Sequence, residues 1–413
     1  MSETGKQSKP AGRRAELAPR AWSVLLLLVV CLPRASIDAY LPSLPAMAAD
    51  LHASDAQLQL TLTLYMVGYA LSMLLCGPLA DRYGRRPVLL GGLALYLLAS
   101  VACALAPSAP VIIAARMLQA LGGCSGTVIG RVMVRDRFDA RAQAGMLSRL
   151  SMGMALSPVI APLLGSLIDA ALGWRWVFVV LTALAAGALL VVATLMPETA
   201  PRERPRAGLR QVGRVYAGLL RDAYFLRYAL AISFVYCTYF PFIAESSVLL
   251  QKVMHLSPQA YALTFGLSVT GYLLGSQLFR RLARRHGSDA LIGWAVALNL
   301  CGSALLLFAT GRYPQAPAAL VGPMLLIMLS VGIAIPACQL AVLQPYAANA
   351  GTASGLFFFI QMAITALCSF VVGRCSDGTV RPMVWMTLLA SAAFAALWLV
   401  CRPAAGADQR LAS

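Results

Sequence analysis

The sequence is short of charge. Aspartate and glutamate number 16, and only 12% of its 413 residues are charged, while 60% are hydrophobic and the mean hydropathy is +0.75. Soluble domains are about a quarter charged, so an ordinary globular enzyme is excluded. Lysine is nearly missing: Lys6, Lys9 and Lys252 are the whole set, none in the G-K-[ST] setting of a nucleotide-binding phosphate loop, which excludes an ATP-driven pump. The three histidines, His52, His255 and His286, fall in loops. Eight of the ten cysteines (Cys31, Cys76, Cys103, Cys124, Cys237, Cys301, Cys338, Cys368) are scattered singly through apolar runs without CxxC spacing. Neither a zinc site nor a disulfide framework follows, and small helix-packing residues are the expectation. With no cluster of nucleophile, base or metal ligands, no enzyme activity, cofactor or metal is expected.

What is present is apolar sequence in long runs, at about 22–45, 57–80, 88–106, 111–134, 145–171, 177–196, 224–249, 258–278, 290–310, 317–343, 354–372 and 383–401. A bilayer crossing takes ~20 apolar residues, so twelve crossings use nearly the whole chain. The first run follows Arg13, Arg14 and Arg20 and passes a small-residue stretch at Ala35-Ser36-Ile37, but the apolar pattern continues past Asp38 into Tyr40-Leu41. That is too long for a signal peptide core, so a retained first helix is expected. Trp174 and Trp176 flanking Arg175 read as an aromatic belt, and the 16 methionines as packing or lipid-facing residues.

The formal charge of +17 invites a nucleic-acid reading, but the basic residues sit in alternate loops. With Met1 inside, cytoplasmic segments hold 26 of the 33, including Arg82, Arg85 and Arg86, five from Arg131 to Arg149, and seven from Arg202 to Arg227. This positive-inside asymmetry places both termini in the cytoplasm and removes the nucleic-acid reading. The longest hydrophilic interruption runs from Pro197 to Asp222, near the middle of the chain. It divides the sequence into a tail (1–20), a six-helix half (21–196), a linker (197–222), a second six-helix half (223–402) and a tail (403–413). Gly77-Pro78-Leu79-Ala80-Asp81-Arg82 is echoed 198 residues later by Gly275-Ser276-Gln277-Leu278-Phe279-Arg280, in the corresponding place of the second half. The expected fold is an all-α membrane protein, two pseudo-symmetric halves of six transmembrane helices each.

The stretch Gly77-Pro78-Leu79-Ala80-Asp81-Arg82-Tyr83-Gly84-Arg85-Arg86-Pro87 resembles the G-x-x-x-D-R-x-G-R-R signature of the major facilitator superfamily, and the resemblance covers about residues 20–402. A carboxylate at a helix end, two glycines and three guanidiniums suit a conformational latch formed by Gly77, Asp81, Arg82, Gly84, Arg85 and Arg86; enforcing topology is the alternative role for Arg85 and Arg86. Arg116-Met117-Leu118-Gln119-Ala120 looks like the family's R-x-x-Q-G pattern, with Ala120 in place of glycine. An arginine inside a span implies an internal partner or a water-filled cavity. In helix five, Gly153, Ser157, Pro158, Pro162 and Gly165 resemble the family's antiporter motif, with Ser157 and Ala161 departing from its glycines. Together with Ser36-Ile37-Asp38-Ala39-Tyr40-Leu41-Pro42-Ser43-Leu44-Pro45 in helix one, that form resembles the bicyclomycin and chloramphenicol resistance (Bcr/CflA) subfamily. Gly351-Thr352-Ala353-Ser354-Gly355 with Gln361 in helix eleven fits it weakly.

Few acidic residues lie inside a span. Asp38 is the clearest and is the expected proton site; Arg34 lies four residues earlier on the same helical face, and the resemblance implies Arg116 as a partner. Glu245 and Asp169 stand near outer helix ends, where interfacial solvation is expected. Tyr40, Tyr65, Tyr69, Tyr236, Tyr239, Phe240 and Gln339 are of the types that line a cavity for flat amphipathic molecules. The resemblance therefore implies proton-coupled efflux of small amphipathic drugs across a bacterial inner membrane by alternating access, with a small molecule, protons and the lipid bilayer as partners and a monomer as the unit. The alternatives are a metabolite or sugar carrier and a non-transporting membrane sensor.

Overall fold

The computed structural model describes residues 19–200, 209–283, 285–343, 345–346 and 350–400. Its helices are α1 (Pro19–Asp38), α2 (Leu44–Asp50), α3 (Asp55–Tyr83), α4 (Arg85–Ala104), α5 (Ala109–Arg137), α6 (Ala140–Leu172), α7 (Arg175–Leu195), α8 (Leu209–Leu219), α9 (Ala223–Ser247), α10 (Pro258–Leu282), α11 (Ser288–Arg312), α12 (Pro317–Leu343), α13 (Ala350–Cys375) and α14 (Arg381–Val400). Among the described residues twelve spans, with α1 and α2 merged as Ala21–Asp50, are long and apolar enough to cross a bilayer. Most of the expected tails (1–20 and 403–413) lies outside the described residues, as do Arg202, Arg204 and Arg206 of the linker, the rest of which carries α8.

Local chemistry sets the ends. Pro42 and Pro45 lack the N–H that a continuing helix needs, so the first span breaks after Asp38, passes through a 3-10 turn at Leu41–Ser43 and restarts at Leu44. Ser54 opens α3 with a capping box: its hydroxyl accepts from the Gln57 amide at 3.2 Å while Gln57 Oε1 accepts from the Ser54 amide at 2.9 Å. Gly84, at φ +100°, is the single-residue joint between α3 and α4. The helices overrun the apolar windows where charged turns continue them. Thus α5 runs past the apolar stretch 111–134 to carry Arg135 and Arg137.

In the first group, α5 packs on α3 and α4, α4 on α7 and α1 on α6; in the second, α12 packs on α10 and α11, α11 on α14 and α9 on α13. The same pairing thus occurs twice. Glycine makes equivalent approaches possible: a Cβ on Gly68 of α3 would strike the Met117 carbonyl of α5, and one on Gly275 of α10 the Leu329 carbonyl of α12. The groups meet along two seams, α3 against α13 and α6 against α10.

Candidate functional site

The break in the first span positions Asp38. The carboxylate hangs from the last residue of α1, where exposed helix carbonyls repel a negative charge. It is fully buried, and neither oxygen accepts a well-aligned hydrogen bond among the described residues. Arg34 supplies the compensating charge, its Nε 3.0 Å from Asp38 Oδ2, one turn away on the same face. The same guanidinium donates from Nη1 to the Tyr236 hydroxyl at 3.2 Å, on α9 of the other group. One arginine therefore connects the buried acid to both groups. Tyr236 packs tilted against Tyr239, ring centroids 4.9 Å apart, and stacks on Phe240 at 6.4 Å.

Arg116 is not part of this pair. It is fully buried in a box of rings, its guanidinium 4.3 Å from the centre of Tyr40, 4.1 Å from Tyr65 and 6.0 Å from Phe178. Nη1 donates to Gln119 Oε1 at 2.5 Å, and Gln119 passes its own donor to Ser100 at 2.8 Å. No carboxylate reaches Arg116 among the described residues. The Asp38–Arg116 pairing implied by resemblance is thus replaced by Asp38–Arg34, because three aromatic faces supply the electron-rich surroundings that a cation needs. Tyr40 and Tyr65 are walls of this box: their hydroxyls are occupied by Thr61 at 2.8 Å and by the Pro33 carbonyl at 2.7 Å. Tyr69, Tyr236 and Tyr239 do gather near Arg34, in its electrostatic range. Gln339, half-buried near the end of α12, forms no hydrogen bond among the described residues.

Glu245 differs from its expected solvated position. It is buried, accepting from Gln59 Nε2 of α3 at 2.6 Å and from Ser376 at 3.2 Å. Around it the groups are joined by Thr63 to Ser369 at 2.8 Å, Ser247 to the Leu41 carbonyl at 2.6 Å, Gln251 to the Pro42 carbonyl at 3.0 Å and Lys252 to Asp55 at 2.5 Å. Two irregular backbones meet here: the broken first span offers free carbonyls, and a π-helical turn at Val248–Val253 carries Gln251 toward one of them. The end of the bundle opposite α8 is therefore closed. The sequence hints at none of these contacts except by showing Glu245 as an acid in an apolar run.

At the α8 end, the signature residues form a cluster within the first group. Arg85 is buried, its Nη2 3.0 Å from Asp81, its Nε 3.1 Å from Asp136 and its Nη1 2.9 Å from the Ala80 carbonyl. Glu198 caps α4, accepting from the Arg85 and Arg86 amides at 3.0 and 3.2 Å, which explains Gly84: a Cβ there would stand 2.6 Å from Glu198 Oε2. Arg86 ties to the Ala193 carbonyl at 2.5 Å, Arg82 lies over Tyr83, and Gly77 has open space around it. Asp136 and Glu198 complete a charge set of which motif reading shows only half. On α6, Pro158 and Pro162 lie inside the helix, a Cβ on Gly153 would meet Leu27 at 2.7 Å, and one on Gly165 would strike the Ala39 carbonyl. Ser157 is buried without a partner among the described residues. These residues hold α6 against α1 on one side while its other face meets α10.

Residues 26–369 match the family description Major Facilitator Superfamily. The chain belongs to the Major Facilitator Superfamily. It is 30% identical over 366 residues to the uncharacterized MFS-type transporter YdgK of Bacillus subtilis (strain 168), covering 88% of this chain and 90% of that one. It is 29% identical to Multidrug resistance protein D of Escherichia coli (strain K12), covering 82% and 84%. Multidrug resistance protein MdtL of Escherichia coli O139:H28 is 36% identical over 246 residues, 59% of this chain and 62% of its own. Among solved structures, a bacterial homolog of the human lysosomal transporter Spinster, inward-facing and unoccupied, aligns with a TM-score of 0.73 at 17% identity over 96% of this chain and 98% of its own. The D-xylose-proton symporter aligns at 0.71 and 14% identity, over 90% and 96%. The chain is thus a multi-pass membrane transporter of the Major Facilitator Superfamily with multidrug-resistance relatives, and not an enzyme.

Proposed function

We propose that this transporter exports small amphipathic drugs from the bacterial cytoplasm across the inner membrane in exchange for protons, and that it belongs to the bicyclomycin and chloramphenicol resistance subfamily. The termini and α8 face the cytoplasm, where the basic loops point, and the closed end faces out. The observation that carries the reading is Arg34 held between Asp38 of one group and Tyr236 of the other. Protonating Asp38 cancels the charge that retains Arg34, so Arg34 moves and the contact between groups changes with it; substrate arriving from the cytoplasm favours the reverse step. Glu245 with Gln59 forms the outer gate, and the Arg85 cluster is the inner latch. The relatives named for multidrug resistance support the substrate class.

The test is drug susceptibility of an efflux-deficient bacterial host carrying wild type, Asp38→Asn or Arg34→Gln at matched membrane levels, on a panel of chloramphenicol-like, bicyclic peptide-like and dye compounds. Resistance to at least one compound is expected, falling to the empty-vector level in both variants. Resistance that survives Asp38→Asn removes Asp38 as the proton site, and a wild type that protects against nothing on the panel overturns drug export.

A further inference from the structure

One cation, on α5 beside α6, has no part in the site described above. Arg131 lies on α5, two turns before its end, half-buried within the span Ala109–Arg137. Its neighbours on α5 face the first span: Thr127 donates to the Val30 carbonyl at 3.2 Å, and a Cβ on Gly130 would meet Val30 at 2.6 Å. Among the described residues its one hydrogen bond runs from Nη2 to Met154 Sδ of α6 at 3.3 Å. A thioether is a weak acceptor, so this contact leaves most of the guanidinium's donors free for a ligand. Its charge is within electrostatic range of Cys31 on α1, Tyr69 on α3 and Tyr272 on α10, the last belonging to the other group.

Among the described residues, the other charged side chains of the site are engaged by neighbours. Arg34 is neutralised by Asp38, Arg116 is sealed among rings, and Glu245 is held at the far end by Gln59 and Ser376. Among the described residues no carboxylate pairs with Arg131. A half-buried guanidinium with an unused fork, within electrostatic range of Tyr69 in one group and Tyr272 in the other, has the chemistry of a receptor for a planar anion. The carboxylate or sulfonate takes the fork and the aromatic body lies against the rings.

We infer that the preferred cargo is an aromatic organic anion whose acidic head binds Arg131, rather than a lipophilic cation. The inference rests on reading the space between the groups as the transport path. An interior-negative membrane also favours outward movement of an anion, so charge and direction agree with export.

The test is equilibrium binding to the purified transporter in lipid nanodiscs, using fluorescein and rhodamine 6G, two xanthene dyes of opposite charge. Wild type should bind fluorescein more tightly than rhodamine 6G. Arg131→Gln should weaken fluorescein by at least about tenfold, the size of one lost charged hydrogen bond, while Arg131→Lys retains part of it. Thermal unfolding reports whether the variants are folded, and competition on wild type avoids them altogether: benzoate should displace fluorescein where benzamide does not. Preference for rhodamine 6G, equal displacement by the two competitors, or a folded Arg131→Gln that binds fluorescein normally overturns the inference. Asp38-dependent drug resistance alongside any of these leaves export standing and removes only the anion preference. Arg131-dependent fluorescein binding without resistance to any drug leaves the anion site standing and removes drug export.

Discussion

At the scale of single residues, Arg34 and Arg116 do different work because their surroundings differ. Arg34 touches an acid and a hydroxyl that belong to separate groups, whereas Arg116 touches three ring faces and one amide. A guanidinium is flat and stacks; an ammonium is compact and does not. Arg116→Lys keeps the charge but loses the stacking and the bond to Gln119, so the purified protein should unfold at a lower temperature, the loss being about 1–2 kcal/mol. A differential-scanning fluorimetry trace unchanged from wild type would show that the ring box contributes little. That Arg116 is costly and therefore internally partnered is legible from its place in an apolar run. Its partners are not, because Tyr40 comes from the break in the first span, Tyr65 from α3 and Phe178 from α7, and nothing in their spacing along the chain brings them together. Arg131 shows the opposite failure. Counting charges by loop puts it in the cytoplasm, yet the helix runs on past it to Arg137.

At the scale of elements, the glycines separate into those this conformation needs and those it does not. Gly165 on α6 faces the Ala39 carbonyl so closely that any side chain must push α6 away from the first span, whereas Gly153 meets only the movable side chains of Leu27 and Cys31. Gly77, in the latch signature, has nothing within 4 Å of where a Cβ would stand. Gly165→Ala should therefore destabilise by about 1–3 kcal/mol, while Gly77→Ala should leave thermal stability unchanged and still reduce transport, because the close approach that Gly77 permits belongs to another state of the cycle. Equal transport by Gly77→Ala and wild type would remove it from the latch. Motif reading singles out both glycines for the same reason, a missing side chain; only packing distinguishes them. The twelve spans are legible because length and hydropathy depend on composition alone. The break after Asp38 can be anticipated from Pro42 and Pro45, but the π turn at Val248–Val253 has no comparable residue to announce it.

At the scale of the whole molecule, the bonds that close one end are all between the groups, and each must break if the groups rock apart. Thr63 and Ser369 are the simplest pair to test, since their hydroxyls are 2.8 Å apart on α3 and α13 and neither touches Asp38, Arg34 or Arg131. Replacing both by cysteine, with exposed Cys301 and Cys375 changed to serine, brings two thiols close enough for a disulfide or a short bifunctional linker. Cross-linking should form readily without substrate and hold the far end shut. Binding from the α8 side should persist while export stops, and a reducing agent should restore export. The separation matters: loss of binding together with export would mean that the cross-link distorts the site, whereas full export by the cross-linked protein would mean that the far end never opens along α3 and α13. In that case the path to the outside would have to run along the α6–α10 seam, where Val159 lies 3.6 Å from the position of a Cβ on Gly266 and no hydrogen bond has to be broken among the described residues.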